Sequence, residues 1–233
     1  DAIMGININI YDVADHLRVT SQGYSQPTGA VTYMESHDEQ RMIYEAVSYQ
    51  NMDLETAYKR SALSASLLFT SQGTPMIYHG QEFGQSSATG TSPQPLQWEN
   101  LDTEAGLKLY QNYRNVVQLR KTMPVLRGAN MTFTKEDNGN KVLVYERVNI
   151  DEAVVTAANF NFNDQIATVE FPYDGWWYVL PGDDSLLVSG EEAQVDLPMS
   201  TAKIFTSRYI PGLNNDPPII PLTFRLGQNY PNP

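Results

Sequence analysis

The chain has 233 residues, 41% of them hydrophobic, with a formal charge of −12 and no cysteine. The missing cysteines exclude a disulfide framework and a thiolate metal site, and the acidic balance argues against nucleic acid and anionic membranes as partners. No apolar run approaches the ~20 residues that span a bilayer.

Taken in order, the first four residues, Asp1-Ala2-Ile3-Met4, read as the interior of a longer chain, and no signal peptide opens the given sequence. Ile3, Ile6, Ile10, Val13 and Leu17 recur every three or four residues, as on one face of a helix. The alternation Ile6, Ile8, Ile10 also fits a strand, and Asn is a poor helix former. The balance favours a connection that ends as a helix. Gly23, Pro27 and Gly29 mark a loop. Val31, Tyr33 and Met34 then read as a short buried strand that breaks into six polar or charged residues, Glu35 to Gln40. Clustered ionisable groups at the carboxyl end of a buried strand are a common way to build a site. A strand also ends in polar residues simply because it reaches solvent.

A helix is predicted from Asp53, with Leu54, Ala57, Tyr58, Ala62, Ala65, Leu68 and Phe69 on its apolar face and small residues among them for close packing. Gly73 falls near its C′ position. Gly73-Thr74-Pro75-Met76-Ile77-Tyr78-His79-Gly80-Gln81-Glu82 repeats the earlier build: turn, short apolar strand, carboxylate. Strand, helix, strand, helix is the order of a parallel α/β architecture. The loop from Gly84 to Pro95 either lines a cleft or merely connects, and Trp98 either stacks on a ligand or lies buried beneath that loop. Glu104 to Met123 reads as a helix with Leu107, Tyr110, Tyr113, Val117 and Arg120 on one stripe, stopped by Pro124.

From Met131 the period becomes two. Asp137-Asn138-Gly139-Asn140 signals a hairpin, and runs at residues 153–157, 166–171, 177–180, 186–188, 195–197 and 202–206 follow between turn residues, as in an antiparallel β-sandwich. Trp176 and Trp177 either form a stacking surface or divide between core and edge, the second being the more ordinary arrangement. Pro211 to Pro218 has linker composition, and Phe224 to Pro233 opens a further unit.

The two strand-end stretches together resemble the α-amylase family, the family-13 glycoside hydrolases. Ser36-His37-Asp38 is similar to that family's His-Asp pair on the penultimate barrel strand, and Gly73 to Glu82 to its Gly-x-Pro-x-x-Tyr-x-Gly-x-Glu pattern on the last. The resemblance implies α/β plus all-β architecture: the C-terminal portion of a (β/α)8 barrel in residues 1–128, an antiparallel β-sandwich in 129–209, and a linker with the start of a further domain in 210–233. The ending Gln228-Asn229-Tyr230-Pro231-Asn232-Pro233 resembles the opening of the sorting domain of proteins exported by the type IX route. That implies secretion machinery as a partner and a secreted or surface-attached product.

The resemblance implies a glycosidase acting on α-glucans such as starch and maltooligosaccharides by retaining hydrolysis. Asp38 would be the third carboxylate and His37 a ligand of the sugar hydroxyls, with Arg41 and Glu82 in support. Arg41 has Glu35, Glu39 and Glu82 as available partners, or is an ordinary surface residue. Tyr78 and His79 are expected to pack at the strand end. The family's nucleophile and general acid lie on earlier strands, and nothing in residues 1–30 matches either, so the isolated chain is expected to be inactive. No cofactor is expected in this segment: His16, His37 and His79 lack ligand spacing, and the calcium site of family members falls upstream. Two rivals stand: a non-catalytic glycan-binding module working through Trp176 and Trp177, and an α-glucan transglycosylase of the same family.

Overall fold

The computed structural model describes residues 3–5, 7–89, 94–182 and 184–213. The hexapeptide at 228–233 and most of the linker lie outside the described residues, as do Ile6 and residues 90–93 of the Gly84 loop.

Helix α1 spans Ile10–Leu17, and Asn9 caps it by accepting from Tyr11 N. The helical pattern thus begins only where a capping side chain is available. Strand β1 is Val31–Thr32 and pairs in parallel with β2, Thr74–Pro75. Both are shorter than the apolar runs predict. Thr74 N donates to Ala30 O and Met76 N to Thr32 O, so Pro75 stands at the position whose missing N–H points away from its partner. Gly73 lies one residue past the C′ position of the helix before it, whose C-cap is Ser71. Its φ is +99°, and a Cβ there would sit 2.4 Å from Thr32 Cγ2, so glycine is what lets β2 approach β1.

Helix α2, Met42–Ser48, has no counterpart in the sequence reading. Helix α3, Leu54–Thr70, starts where Asp53 accepts from Thr56 N, and α4, Glu104–Thr122, where Thr103 accepts from Gly106 N. The buried stripe of α4 runs through Leu109, Tyr113, Val116 and Leu119, not through Leu107, Tyr110 and Val117. The helix packs on two sides, so neighbouring stripes are both apolar enough to mislead a one-face reading.

The β region holds two unequal antiparallel sheets. Six strands run in the order β3-β4-β5-β10-β7-β8, and β6 pairs with β9 in a separate ribbon. Their spans are Thr132–Asp137, Val142–Val148, Ala153–Asn159, Gln165–Glu170, Gly175–Leu180, Ser185–Val188, Glu192–Leu197 and Thr201–Thr206 for β3 to β10. One face of the large sheet, with Val144, Val155, Trp177 and Phe205, packs on Ala167, Val169, Val195 and Leu197 of the ribbon. The other face meets helices: Leu143, Tyr145 and Ala158 contact the α1–α3 side, and Val154, Leu180 and Ile204 join the α3–α4 core. Strands β4 and β5 are therefore covered on both faces, which explains their nearly unbroken apolar runs. Trp177 is fully buried, whereas Trp176 on the opposite face is 58% exposed.

Arginines join the helical and β layers. The carbonyls at the α3 C-terminus have no partner within the helix. Arg120 of α4 donates to Phe69 O, Ser71 O and Gly73 O, and Arg147 of β4 donates to Thr70 O. Arg60 of α3 reaches back to Phe160 O.

Candidate active site

The chain leaves β1 after Thr32 and returns as α2, and the turn between them carries His37 and Asp38. Glu35 at its start points inward. One carboxylate oxygen accepts from Arg41 Nη1 at 3.1 Å, the other from Met42 N at 2.9 Å. Met42 N is the first amide of α2 and gains no cap from Arg41, so Glu35 caps the helix from seven residues upstream. Arg41 is 2% exposed, and its Cζ lies over the Tyr78 ring, 3.8 Å from the centroid. Of its three available acidic partners it takes Glu35, and it is not a surface residue.

Beyond β2, Tyr78 N donates to Gln81 Oε1, and Gln81 Nε2 donates to the buried Tyr113 hydroxyl. Tyr78 packs edge-on against His79 at 4.4 Å. Glu82 is half-buried, and its Oε2 has no hydrogen-bond partner among the described residues. Burial pushes the Glu35 carboxyl above its ordinary value of 4.5 against the opposing pull of Met42 N–H and Arg41, and the nearby Glu82 charge adds to the rise.

His37 and Asp38 behave differently. Their side chains are 78% and 81% exposed and face each other, with Nε2 3.3 Å from Oδ1. Asp38 N donates to Ser36 Oγ at 3.2 Å. The far end of the turn is held by the Gly84 loop: Thr89 Oγ1 donates to Glu39 O and Thr89 N to Gln40 Oε1. This loop is thus attached to the His37–Asp38 turn. Trp98 is 53% exposed and leans on Phe83 at 5.2 Å, so it does not lie buried beneath the loop.

The structure therefore brings Arg41 to Glu35 and Tyr78, places Glu82 in electrostatic reach of Glu35, and leaves His37 and Asp38 facing solvent together. Gln81 and Thr89 escape the sequence reading, where Glu35 enters only as one possible partner of Arg41 and Tyr113 only as part of a helix stripe. For Glu35 one signal exists: a carboxylate at the end of a short apolar run, six residues before an arginine. That run is not the buried strand expected, since Val31 is 58% and Tyr33 44% exposed, because β1 is a two-residue strand whose one described partner is β2. Among the described residues no group of three His, Asp or Glu could hold a metal ion. A groove of about 860 Å³ between α3 and α4, lined by Tyr58, Leu109, Asn112 and Pro181, shares no residue with this turn.

Chemically, an exposed carboxylate on a short, pinned turn can accept hydrogen bonds from hydroxyls and stabilise developing positive charge. An adjacent imidazole can bind a second hydroxyl.

The family model described as "Alpha amylase, catalytic domain" matches residues 3–166. Neopullulanase 2 of Thermoactinomyces vulgaris is 24% identical over 173 residues, covering 72% of this chain and 27% of the relative. A cyclomaltodextrin glucanotransferase of Bacillus sp. (strain 1-1) is 28% identical over 163 residues, covering 69% and 21%. The chain thus spans about a quarter of the length of these relatives. In fold it is similar to an Anoxybacillus α-amylase, with a TM-score of 0.68 at 21% identity over 84% of this chain and 41% of that one. A pullulanase from Anoxybacillus sp. LM18-11 complexed with maltotetraose gives 0.70 at 17% identity, over 84% and 30%. With most of its length matched by that catalytic-domain model, the chain belongs to the α-amylase family.

Proposed function

We propose that this chain is the C-terminal part of a secreted α-glucan-acting glycosidase, and that it supplies one catalytic carboxylate of the retaining reaction. Asp38 is that carboxylate. It stabilises the oxocarbenium-like transition state and orients ring hydroxyls, while His37 binds a hydroxyl of the same sugar. The observation that carries the reading is the solvent-facing His37–Asp38 pair beyond the carboxyl end of β1, the strand paired in parallel with β2. Further support comes from the relatives, whose names refer to cyclomaltodextrin and pullulan, and from a fold neighbour complexed with acarbose. Glu82 acts through its charge near Glu35 rather than on substrate. The nucleophile and general acid come from residues upstream of this chain, so the 233 residues alone do not hydrolyse starch. The likeness of residues 228–233 to a type IX sorting domain supports export.

The test uses soluble starch and a chromogenic maltooligosaccharide. The isolated chain is expected to show no turnover. In the longer protein that contains it, Asp38→Asn is expected to lower kcat by about 10²–10³. Turnover by the isolated chain that survives Asp38→Asn, or an undiminished longer variant, refutes the assignment.

Transfer rather than hydrolysis has a specific observation behind it, the glucanotransferase among the relatives. Product analysis with an added acceptor sugar separates the two. A binding module working through Trp176, the exposed member of the tryptophan pair, would instead lose glycan binding on Trp176→Ala and keep it on Asp38→Asn.

A further inference from the structure

The buried Glu35–Arg41 pair is a poor device for stability. Two charges removed from water regain little more than their desolvation cost, and apolar replacements of similar volume are often neutral or better. What the pair does have is geometry. Glu35 uses both carboxylate oxygens, one on Arg41 Nη1 and one on Met42 N, so it ties the start of the turn to its end. Arg41 meanwhile sits over the Tyr78 ring beyond β2. One guanidinium thus ties the span of the turn through Glu35 and sets the turn against the segment beyond β2 through Tyr78. Thr89 adds a second attachment at Glu39 and Gln40. Between these anchors His37 and Asp38 have, among the described residues, no side-chain partner except each other. Among the described residues the anchoring contacts of this segment fall on its flanks, and its two solvent-facing groups are aimed by the backbone that the flanks hold.

We propose that Glu35 and Arg41 are positioning residues, forming a clasp with Tyr78 that pre-aims the His37–Asp38 turn so that Asp38 meets the sugar without an ordering step. This rests on the reading of Asp38 given above. Neither residue touches substrate. Their effect passes through the backbone of residues 36–40, and a displacement of about 1 Å at a reacting group is enough to cost roughly 10²-fold in rate.

The decisive variant is the double replacement Glu35→Gln with Arg41→Met. The introduced glutamine still accepts from Met42 N, and the introduced methionine still covers Tyr78, so the cap and the apolar contact remain while the ion pair is gone. Glu35→Gln and Arg41→Met alone each leave one buried charge unpaired, and Arg41→Lys keeps the charge without the planar stack. In the 233-residue chain the double variant is expected to keep its denaturation midpoint. Amide exchange at residues 37–40 is expected to quicken by about tenfold or more, while that of α4 and β5 does not change. In the longer enzyme, kcat is expected to fall roughly 10–100-fold with KM little altered, and Arg41→Lys to recover only part of it.

Unchanged exchange in the turn overturns the proposal, as does an unchanged kcat in the double variant. A fall in kcat that merely tracks lost folded protein, with exchange rising equally across α4 and β5, assigns the pair to stability and overturns it too. If the wild-type longer protein turns over no α-glucan, the proposed function fails, while exchange in the isolated chain still decides whether the clasp holds the turn.

Discussion

Replacing Arg147 by methionine should be among the most damaging single changes in the chain. Its guanidinium is fully buried and donates to Thr70 O at 2.9 Å, Gly128 O at 2.8 Å and Asn130 O at 2.6 Å. Hydrogen bonds from a charged donor contribute roughly 1.5–3 kcal/mol each, and a buried carbonyl left without a donor loses most of that. Thr70 O is buried outright, whereas water can relieve part of the loss at Gly128 and Asn130. Against the loss stands a gain. Burial, with the nearby Arg120 charge adding to it, depresses the Arg147 guanidinium from 12.5 to about 10, which corresponds to roughly 3 kcal/mol of unfavourable surroundings that methionine no longer bears. The carbonyl losses exceed this gain, leaving a net destabilisation of about 3 kcal/mol. For a chain of this length that lowers Tm by roughly 6–12 °C. Urea unfolding followed by far-UV circular dichroism should show a lower midpoint at constant slope, with Arg147→Lys in between because an ammonium cannot serve three carbonyls in one plane. A midpoint within about 1 kcal/mol of the wild type would show that water replaces the arginine at all three carbonyls and would refute the reasoning.

Two further outcomes follow from burial. The folded-state value of Glu35 is raised above 4.5 by desolvation, so its contribution to stability is fully present below pH 4.5 and is lost as pH rises through that folded value. Glu35→Gln should therefore gain on the wild type as pH rises from about 4.5 to about 7 in paired urea melts. A difference that stays flat or shrinks with pH counts against the buried-carboxylate account. Trp177 is fully buried and Trp176 is 58% exposed. Trp177→Ala should cost about 3–5 kcal/mol and Trp176→Ala less than about 0.5. Equal costs in denaturant titrations would contradict the placement of the two rings on opposite faces of β7.

What is legible in the sequence is local. Asp53 and Thr103 cap the helices that follow them, and Asp137 closes the β3–β4 hairpin by accepting from Asn140 N, all within three residues. Signals of that range survive in a one-dimensional reading. Helix α2 escapes it because its capping group, Glu35, lies seven residues upstream on the far side of a turn. The buried stripe of α4 is ambiguous because α4 packs on more than one layer. The separation of β6 and β9 from the six-stranded sheet depends on pairing between residues 165–170 and 192–197, which no turn signal encodes. At the candidate site, the pairing of His37 with Asp38 lies in adjacent residues. Arg41 has three acidic candidates, and only the fold chooses Glu35.

The family match runs to residue 166, past residue 128, where the resemblance places the end of the barrel portion, and into β6. Side-chain contacts tie the residues before 128 to those after it. Helix α3 ends under Arg147 from β4, Thr70 shares a hydroxyl contact with Tyr145, Gln72 donates to Ala129 O, and Val125 N is taken by Glu152. Each of these bonds joins a residue before 128 to one after it, and most are buried. A cut there would expose the C-terminal carbonyls of α3 and leave Arg147 without Thr70 O or Gly128 O. Gly73 and Thr74, which set β2 against β1, follow that same helix end within four residues. The β region therefore supports the candidate site without lining it: it finishes α3, α3 delivers the chain to β2, and the β1–β2 pairing sets the two strand ends from which the Asp38 turn and Tyr78 emerge.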